Sequence, residues 1–173
     1  DQGGPQFGVR KCIGGKWDGD GSYSDQITFF GVRVLGVQQE VQSQDLDGDD
    51  TTLATQTTIK KATVTLAMAS VQQDGISLIT GNPVVDSGSM TRLMVTSRKP
   101  PYIGIAGKAE AAEGNGDTHL FIPKAKMAQG FEIRFELDTF SIPQFSLTAV
   151  ADENFVDEDD YPLLYDIDEH ANV

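Results

Sequence analysis

The sequence predicts a mainly β fold: an antiparallel β-sandwich or barrel with one short α-helix and an extended arm at each end. Two observations carry this. Several stretches alternate apolar and polar residues with the period of a strand, separated by Gly, Pro and Asn-Gly signals, and only one stretch fits helical spacing. The 173 residues suffice for one good core and are too few for two ordinary domains. The expected organisation is a Gly-rich N-terminal arm over 1–26, a β-sandwich domain over 27–152 and an acidic C-terminal arm over 153–173.

Residues 1–26 carry many glycines with isolated Phe7, Trp17 and Tyr23, a composition that suits an irregular arm whose aromatics must pack against something. "ITFFGVRVLGV" then reads as one long strand, with Phe29 and Leu35 on one face and Phe30, Val32 and Val34 on the other. "ATVTLAMAS" alternates as a half-buried strand through Val64, Leu66 and Met68. "SVQQDGISLITG" is the helix candidate, stopped by Gly81 and Pro83, and "TRLMVTS" returns to strand.

From Tyr102 onward the pattern is a meander. "YIGIAGKAEAA" and "THLFIPKAKM" flank "EGNGD", whose Asn-Gly is a strong hairpin signal. Pro123 inside the second strand predicts an edge or bulge position. "FEIRFELDTF" has the cleanest alternation in the chain, Phe131, Ile133, Phe135 and Leu137 against Glu132, Arg134, Glu136 and Asp138, and "FSLTAVA" completes the meander. After Asp152 the pattern dissolves. That acidic segment keeps Phe155, Tyr161, Leu163, Leu164 and Tyr165, which are expected to contact a neighbour because so few apolar residues cannot repay chain entropy alone.

The acidic stretch "QSQDLDGDDTT" invites comparison with a calcium loop. With Gly48 at the sixth position, an EF-hand register puts Ser43 first, Asp45 third, Asp47 fifth and Ala54 twelfth, so the closing glutamate is missing. Strand-like flanks replace the two helices such a loop needs. The stretch reads instead as an acidic loop between strands or a surface shaped for a partner.

Thirteen basic against 26 acidic residues give a net charge of −13, which opposes binding to a phosphate backbone. The single Cys12 excludes an internal disulfide and multi-cysteine zinc patterns, as expected of a thiol in a reducing compartment. No run approaches the roughly 20 apolar residues of a membrane span, and a soluble chain is expected. Asp1 in place of Met predicts processing or trimming. Of the two histidines, His170 lies near the C-terminus and His119 opens a strand beside a hairpin turn, where a surface role outweighs a base. No nucleophile elbow or phosphate-cradling spacing occurs. The expectation is no enzyme, no cofactor and no resident metal.

Strand edges and arms point to association, because an open edge must be paired or protected, and a head-to-tail contact makes a ring or a filament. The order of features resembles the major tail tube proteins of tailed bacteriophages, part of a wider group that includes the tubes of contractile injection systems. The likeness covers roughly residues 27–152. It rests on the long first strand with "DLDGDDTTLATQ", on "KKATVTLAMASVQQDGISLITG", and on the run from "PPYIGIAGKAEAA" through "PKAKM" to "FSLTAVAD".

The resemblance implies a β-sandwich subunit assembled into hexameric rings that stack into a tube, the conduit for DNA delivery. Implied partners are further copies of the chain and other tail proteins such as a tape measure and a terminator. DNA would pass without specific binding and no membrane would be engaged, placing the protein in the virion tail and, during assembly, in the host cytoplasm. By position, Asp45, Asp47, Asp49 and Asp50 would form an inter-ring loop meeting Lys or Arg on the next ring. Glu132, Glu136 and Asp138 are candidates for a lumen-facing row that repels phosphate across a Debye length of about 10 Å. Two other readings stay open: a capsid decoration or tail terminator protein, and a small acidic cation-binding module.

Overall fold

The computed structural model describes residues 6–48, 51–111, 117–138 and 142–170, with the backbone alone at 6–10, 47, 51–53, 110–111 and 170. As expected, it is mainly β, antiparallel, with one short helix. The main sheet contains β1 (Gln6–Trp17), β2 (Tyr23–Phe29), β3 (Val32–Gly48), β4 (Thr51–Met68), β7 (Ile103–Ala111), β8 (Asp117–Met127), β9 (Gln144–Val150) and β12 (Asp166–His170). Its order is β2-β1-β7-β8-β9-β4-β3, with β12 also on β8. The short strands β5 (Val84–Asp86) and β6 (Thr91–Leu93) pair separately, as do β10 (Asp152–Val156) and β11 (Pro162–Leu163).

Strands β2 and β3 stand at opposite ends of this order, yet only Phe30 and Gly31 separate them in sequence. Two residues cannot span a flat sheet of seven strands spaced at about 4.8 Å, so the sheet curls until its ends meet. Leu35 of β3 accordingly lies over Gly107 of β7. No ladder joins β2 to β3, so the curl gives sandwich-like packing and no closed barrel. Gly31 takes the left-handed conformation (φ 64°), and its carbonyl accepts the Ala69 N–H at 2.6 Å. The expected single strand "ITFFGVRVLGV" is therefore two strands broken at this turn.

Helix α1 (Gln73–Thr80) lies beside that turn. Gln72, at its N-cap, leaves the helix uncapped and spends its side-chain amide on β2: Nε2 donates to the Thr28 carbonyl at 2.8 Å, and Oε1 accepts the Phe30 N–H at 3.1 Å. Gly81 ends the helix in the left-handed conformation (φ 76°), its N–H bonded to the Ser77 carbonyl at 2.8 Å, as the Gly81 and Pro83 signals predict. Ile76, Leu78 and Ile79 are buried and join a core made by Cys12, Phe29, Val64, Leu66, Met68, Ile103, Ile105, Ile122, Phe145 and Leu147.

The N-terminal stretch expected to be an irregular arm is instead strand from Gln6 to Trp17, between β2 and β7. Its Gly14 and Gly15 are seats for side chains. A Cβ on Gly14 would stand 2.5 Å from Phe29 Cε2 and 2.9 Å from Leu78 Cδ2, and one on Gly15 would stand 2.9 Å from Tyr23 Cβ. Gly104 of β7 likewise lies under the Tyr23 ring.

Pro123 falls at an irregularity of β8, where Ile103 faces Ala125 but Ile105 faces Ile122, so β8 carries an extra residue. Proline offers no N–H to a ladder, and β8 changes partner across it: residues 117–121 pair with β12 and 125–127 with β9. The Pro123 carbonyl accepts the Tyr23 hydroxyl at 2.7 Å.

Two further expectations are corrected. Over its described residues, 131–138, "FEIRFELDTF" forms no ladder strand; residues 131–135 carry no regular secondary structure, and a lone bridge at Glu136 precedes a turn. Phe131 packs on Phe145 (ring centroids 4.8 Å apart) and Ile133 reaches the core, but the chain then leaves the body. The segment beyond Asp152, expected to be without pattern and to fold on a neighbour, forms β10, β11 and β12 on its own chain.

Gly14→Ala should destabilise the fold by about 1–3 kcal/mol, because the new methyl displaces Phe29 from between β1 and α1. Urea unfolding followed by circular dichroism measures this; an unchanged midpoint would contradict the packing described.

Candidate functional site

The feature that stands out from the body is the β3–β4 hairpin. Its register runs from Val32 opposite Met68 to Gly48 opposite Thr51, but β4 meets β9 only over Lys61–Ala67. Beyond Lys61 the two strands pair with each other alone. From Val41 to Gly48 this ribbon extends about 23 Å at the usual strand rise. The register shifts where the ribbon leaves the sheet: Glu40 faces Lys61 and Val41 faces Ile59, so Lys60 is extra.

The ribbon's pairs are polar and β-favouring: Gln42 with Thr58, Ser43 with Thr57, Gln44 with Gln56. Exposed apolar residues interrupt them, with Val41 at 57%, Leu46 at 62% and Ile59 at 47%. A two-stranded ribbon wetted on both faces is marginal by itself. Its base is tied down by the Thr63 hydroxyl, which donates to Glu40 at 3.0 Å, and by the Gln39 amide, which donates to the Tyr165 hydroxyl.

The structure places Asp45 and Asp47 toward the far end of this ribbon. Asp45 and Asp47 lie within β3 and not in a loop, Asp45 is exposed, and Asp49 and Asp50 lie outside the described residues. Glu132, Glu136 and Asp138 are all exposed, on the segment 131–138 that forms no ladder. Arg134, on the same alternation, bridges the first two, at 2.7 Å to Glu132 and 3.1 Å to Glu136, and offsets part of the row's negative charge. The same segment carries Phe135 and Leu137, 88% and 91% exposed. Sequence reasoning found the alternation but not its lack of a partner strand.

The C-terminal aromatics mostly find contacts within the chain. Phe155 stacks on Tyr23 at 6.4 Å and meets Phe121 edge-on at 5.3 Å. Leu164 and Tyr165 pack on the core, Leu163 is half-buried and Tyr161 is 70% exposed. Asp152 anchors this region. It is 2% exposed, accepts the Trp17 indole N–H at 2.8 Å, and receives the Asn154 backbone N–H at 3.1 Å and side-chain amide at 2.8 Å. Trp17 is in turn held by Tyr102 and by Lys124, whose Nζ stands 4.1 Å from the indole centroid. These contacts involve residues assigned to the arm in the sequence, and no sequence signal pairs Trp17 with a residue 135 positions away.

A cleft of about 390 Å³ lies beside α1, lined by Lys16, Asp25, Asp74, Asn82, Arg98 and Lys99 among others. Ser77, also on its wall, donates its hydroxyl to the Asn82 carbonyl, and no histidine lines the cleft. His119 sits within β8, opposite Lys108 of β7 and Asp168 of β12. Among the described residues no three His, Cys, Asp or Glu side chains gather as a metal ion requires, and no helix is long and apolar enough to cross a membrane.

Two buried protons give the fold a pH signature. Burial pushes the Cys12 thiol up to about 12; burial first, and then the Asp152 charge, push the Tyr23 phenol up to about 12. Unfolding returns both to lower values, so the unfolded chain loses these protons first as pH rises. Their stabilisation is complete below the unfolded values and is lost as pH climbs toward about 12. The urea midpoint should fall from about pH 9 upward, and Cys12 should react with a thiol reagent at pH 8 only on unfolding. Rapid reaction of the native protein would contradict the buried placement. In comparisons with known proteins, no family model matches the chain, and no curated protein matches it.

Proposed function

We propose that this chain is a structural subunit of a phage tail tube, self-assembling into stacked rings, with six subunits each, whose channel conducts DNA. The observation that carries the reading is the projecting β3–β4 ribbon. A body curled on itself by the Phe30–Gly31 link has no use of its own for a ribbon about 23 Å long beyond the sheet, and a wet two-stranded ribbon gains support by lying on a neighbour. The resemblance of residues 27–152 to tail tube proteins supplies the kind of neighbour: a second copy in the adjacent ring.

Other features support the same reading. The curled antiparallel body keeps its core intact in one subunit, so rings need not share a core to fold. Phe135, Leu137, Val41, Leu46 and Ile59 are exposed in the lone subunit, and buried contact with copies would remove them from water. The net charge of −13 suits a channel through which DNA must slide without adhering.

Negative-stain electron microscopy of the concentrated protein, without added metal, is expected to show tubes or stacked rings with a central channel. Single closed rings would transfer the reading to a decoration or terminator protein. Small monodisperse particles at every concentration would overturn it, and calcium-dependent stability in those particles would favour the cation-binding module.

A further inference from the structure

The basic residues are unevenly spread in this acidic chain. Arg92, Arg98 and Lys99 fall in one stretch, 84–99, whose sole carboxylate is Asp86. The stretch folds into one surface element. Val85 pairs with Arg92 across β5 and β6, and the Ser87 N–H closes the turn on the Met90 carbonyl at 3.0 Å. Buried Asn82 pins the following chain, accepting the Thr96 N–H at 3.0 Å and hydroxyl at 2.8 Å through Oδ1. Met90, Met94 and Val95 are exposed on this element. None of its three cations forms an ion pair among the described residues. In the adjoining cleft Lys16 joins Arg98 and Lys99, together with Asp25 and Asp74.

A surface of the opposite character is the turn between β10 and β11. The Asp157 carboxylate accepts the Asp159 and Tyr161 N–H groups at 3.0 and 2.9 Å, and Asp160 adopts a left-handed conformation (φ 63°). Asp157 thus holds the turn, while Glu158, Asp159 and Asp160 stand exposed beside Val156 and Tyr161. Both surfaces combine charge with exposed apolar groups. Among the described residues, no ion pair joins them within one chain.

We propose that the Arg92–Lys99 element of one copy docks the Asp157–Tyr161 turn of a second copy, with Met90, Met94 and Val95 covering Val156 and Tyr161. The inference rests on the assembly reading above and names a contact for it. The occupant is a second copy because the complementary surface, with matching sign and the same mixture of groups, lies on the chain itself. A contact between unlike surfaces leaves each copy with one of each free, so it propagates into a ring or a filament. Exposed pairs of this kind are individually weak and screened by salt, so the contact adds direction to assembly and makes it salt-sensitive.

The test uses full-length R92E/R98E/K99E and E158K/D159K/D160K, each checked for native circular dichroism, with sedimentation velocity as readout. Single substitutions Arg92→Glu and Asp159→Lys replace either triple variant that fails to fold. Each variant alone should need about tenfold or more protein to assemble than the wild type. An equimolar mixture should recover wild-type assembly, because each reversed surface meets a complementary one in the other variant. Unaltered assembly of both variants, or no recovery in the mixture, would overturn the proposal. Recovery of R92E/R98E/K99E by Asp45→Lys and not by E158K/D159K/D160K would also overturn it, making the ribbon end the occupant. Tubes indifferent to these reversals would keep the tube reading and refute this contact. Charge-reversible filaments without a channel would keep the contact and refute the tube.

Discussion

The constraint on which the rest of the structure depends is the length of one connection. Phe30 and Gly31 join the two ends of a seven-strand path, so the sheet must curl until β2 and β3 approach. No ladder joins those strands, and side chains fasten the turn between them. Gln72 supplies a donor to Thr28 and an acceptor to Phe30, and Phe29 fits between Gly14 of β1 and the Gly75 turn of α1. Helix α1 therefore fastens β1, β2 and the turn to one another, and its glycine, costly in a helix interior, is explained by the Phe29 ring that lies on it.

The curl also decides what is left outside. Once β4 has met β9 over Lys61–Ala67, the remainder of β3 and β4 has only itself, and the Lys60 bulge marks the departure. Segment 131–138 leaves the core after Ile133 for the same reason: β8 is already occupied on both sides, by β7 along one edge and by β9 and β12 along the other. What projects is therefore chain that takes no further partner strand in the sheet. Those projections are the surfaces from which an assembling subunit would contact its neighbours.

The parts of the fold legible in the sequence were those set by local chemistry. Gly81 and Pro83 bounded α1, and Val64, Leu66 and Met68 announced the buried face of β4; β7 and β8 pair antiparallel on either side of the Asn-Gly, which itself lies outside the described residues. The misread parts depended on distant partners. Alternation in "FEIRFELDTF" is equally compatible with an extended segment on the surface, because strand pairing depends on a neighbour the pattern does not name. Gly14 and Gly15 looked like the marks of an irregular arm, whereas they admit Phe29 and Tyr23 from β2. The acidic C-terminus looked too polar to fold alone, yet Asp152, Phe155 and Tyr165 each find a partner more than a hundred residues earlier in the chain. Of the candidate site, the acidic end of the ribbon was visible as composition, but its extension as a strand pair beyond the sheet was not.

The central claim is that a self-sufficient body presents its ribbon to other copies. Amide hydrogen exchange, compared between dilute subunits and the assembled form, tests it most directly. The account predicts slow exchange in β1, β4, β7, β8 and β9 in both states. Residues 41–48 and 51–59 should exchange rapidly in the subunit and become protected on assembly. Assembly that leaves those residues exchanging as fast as in the free subunit would contradict it.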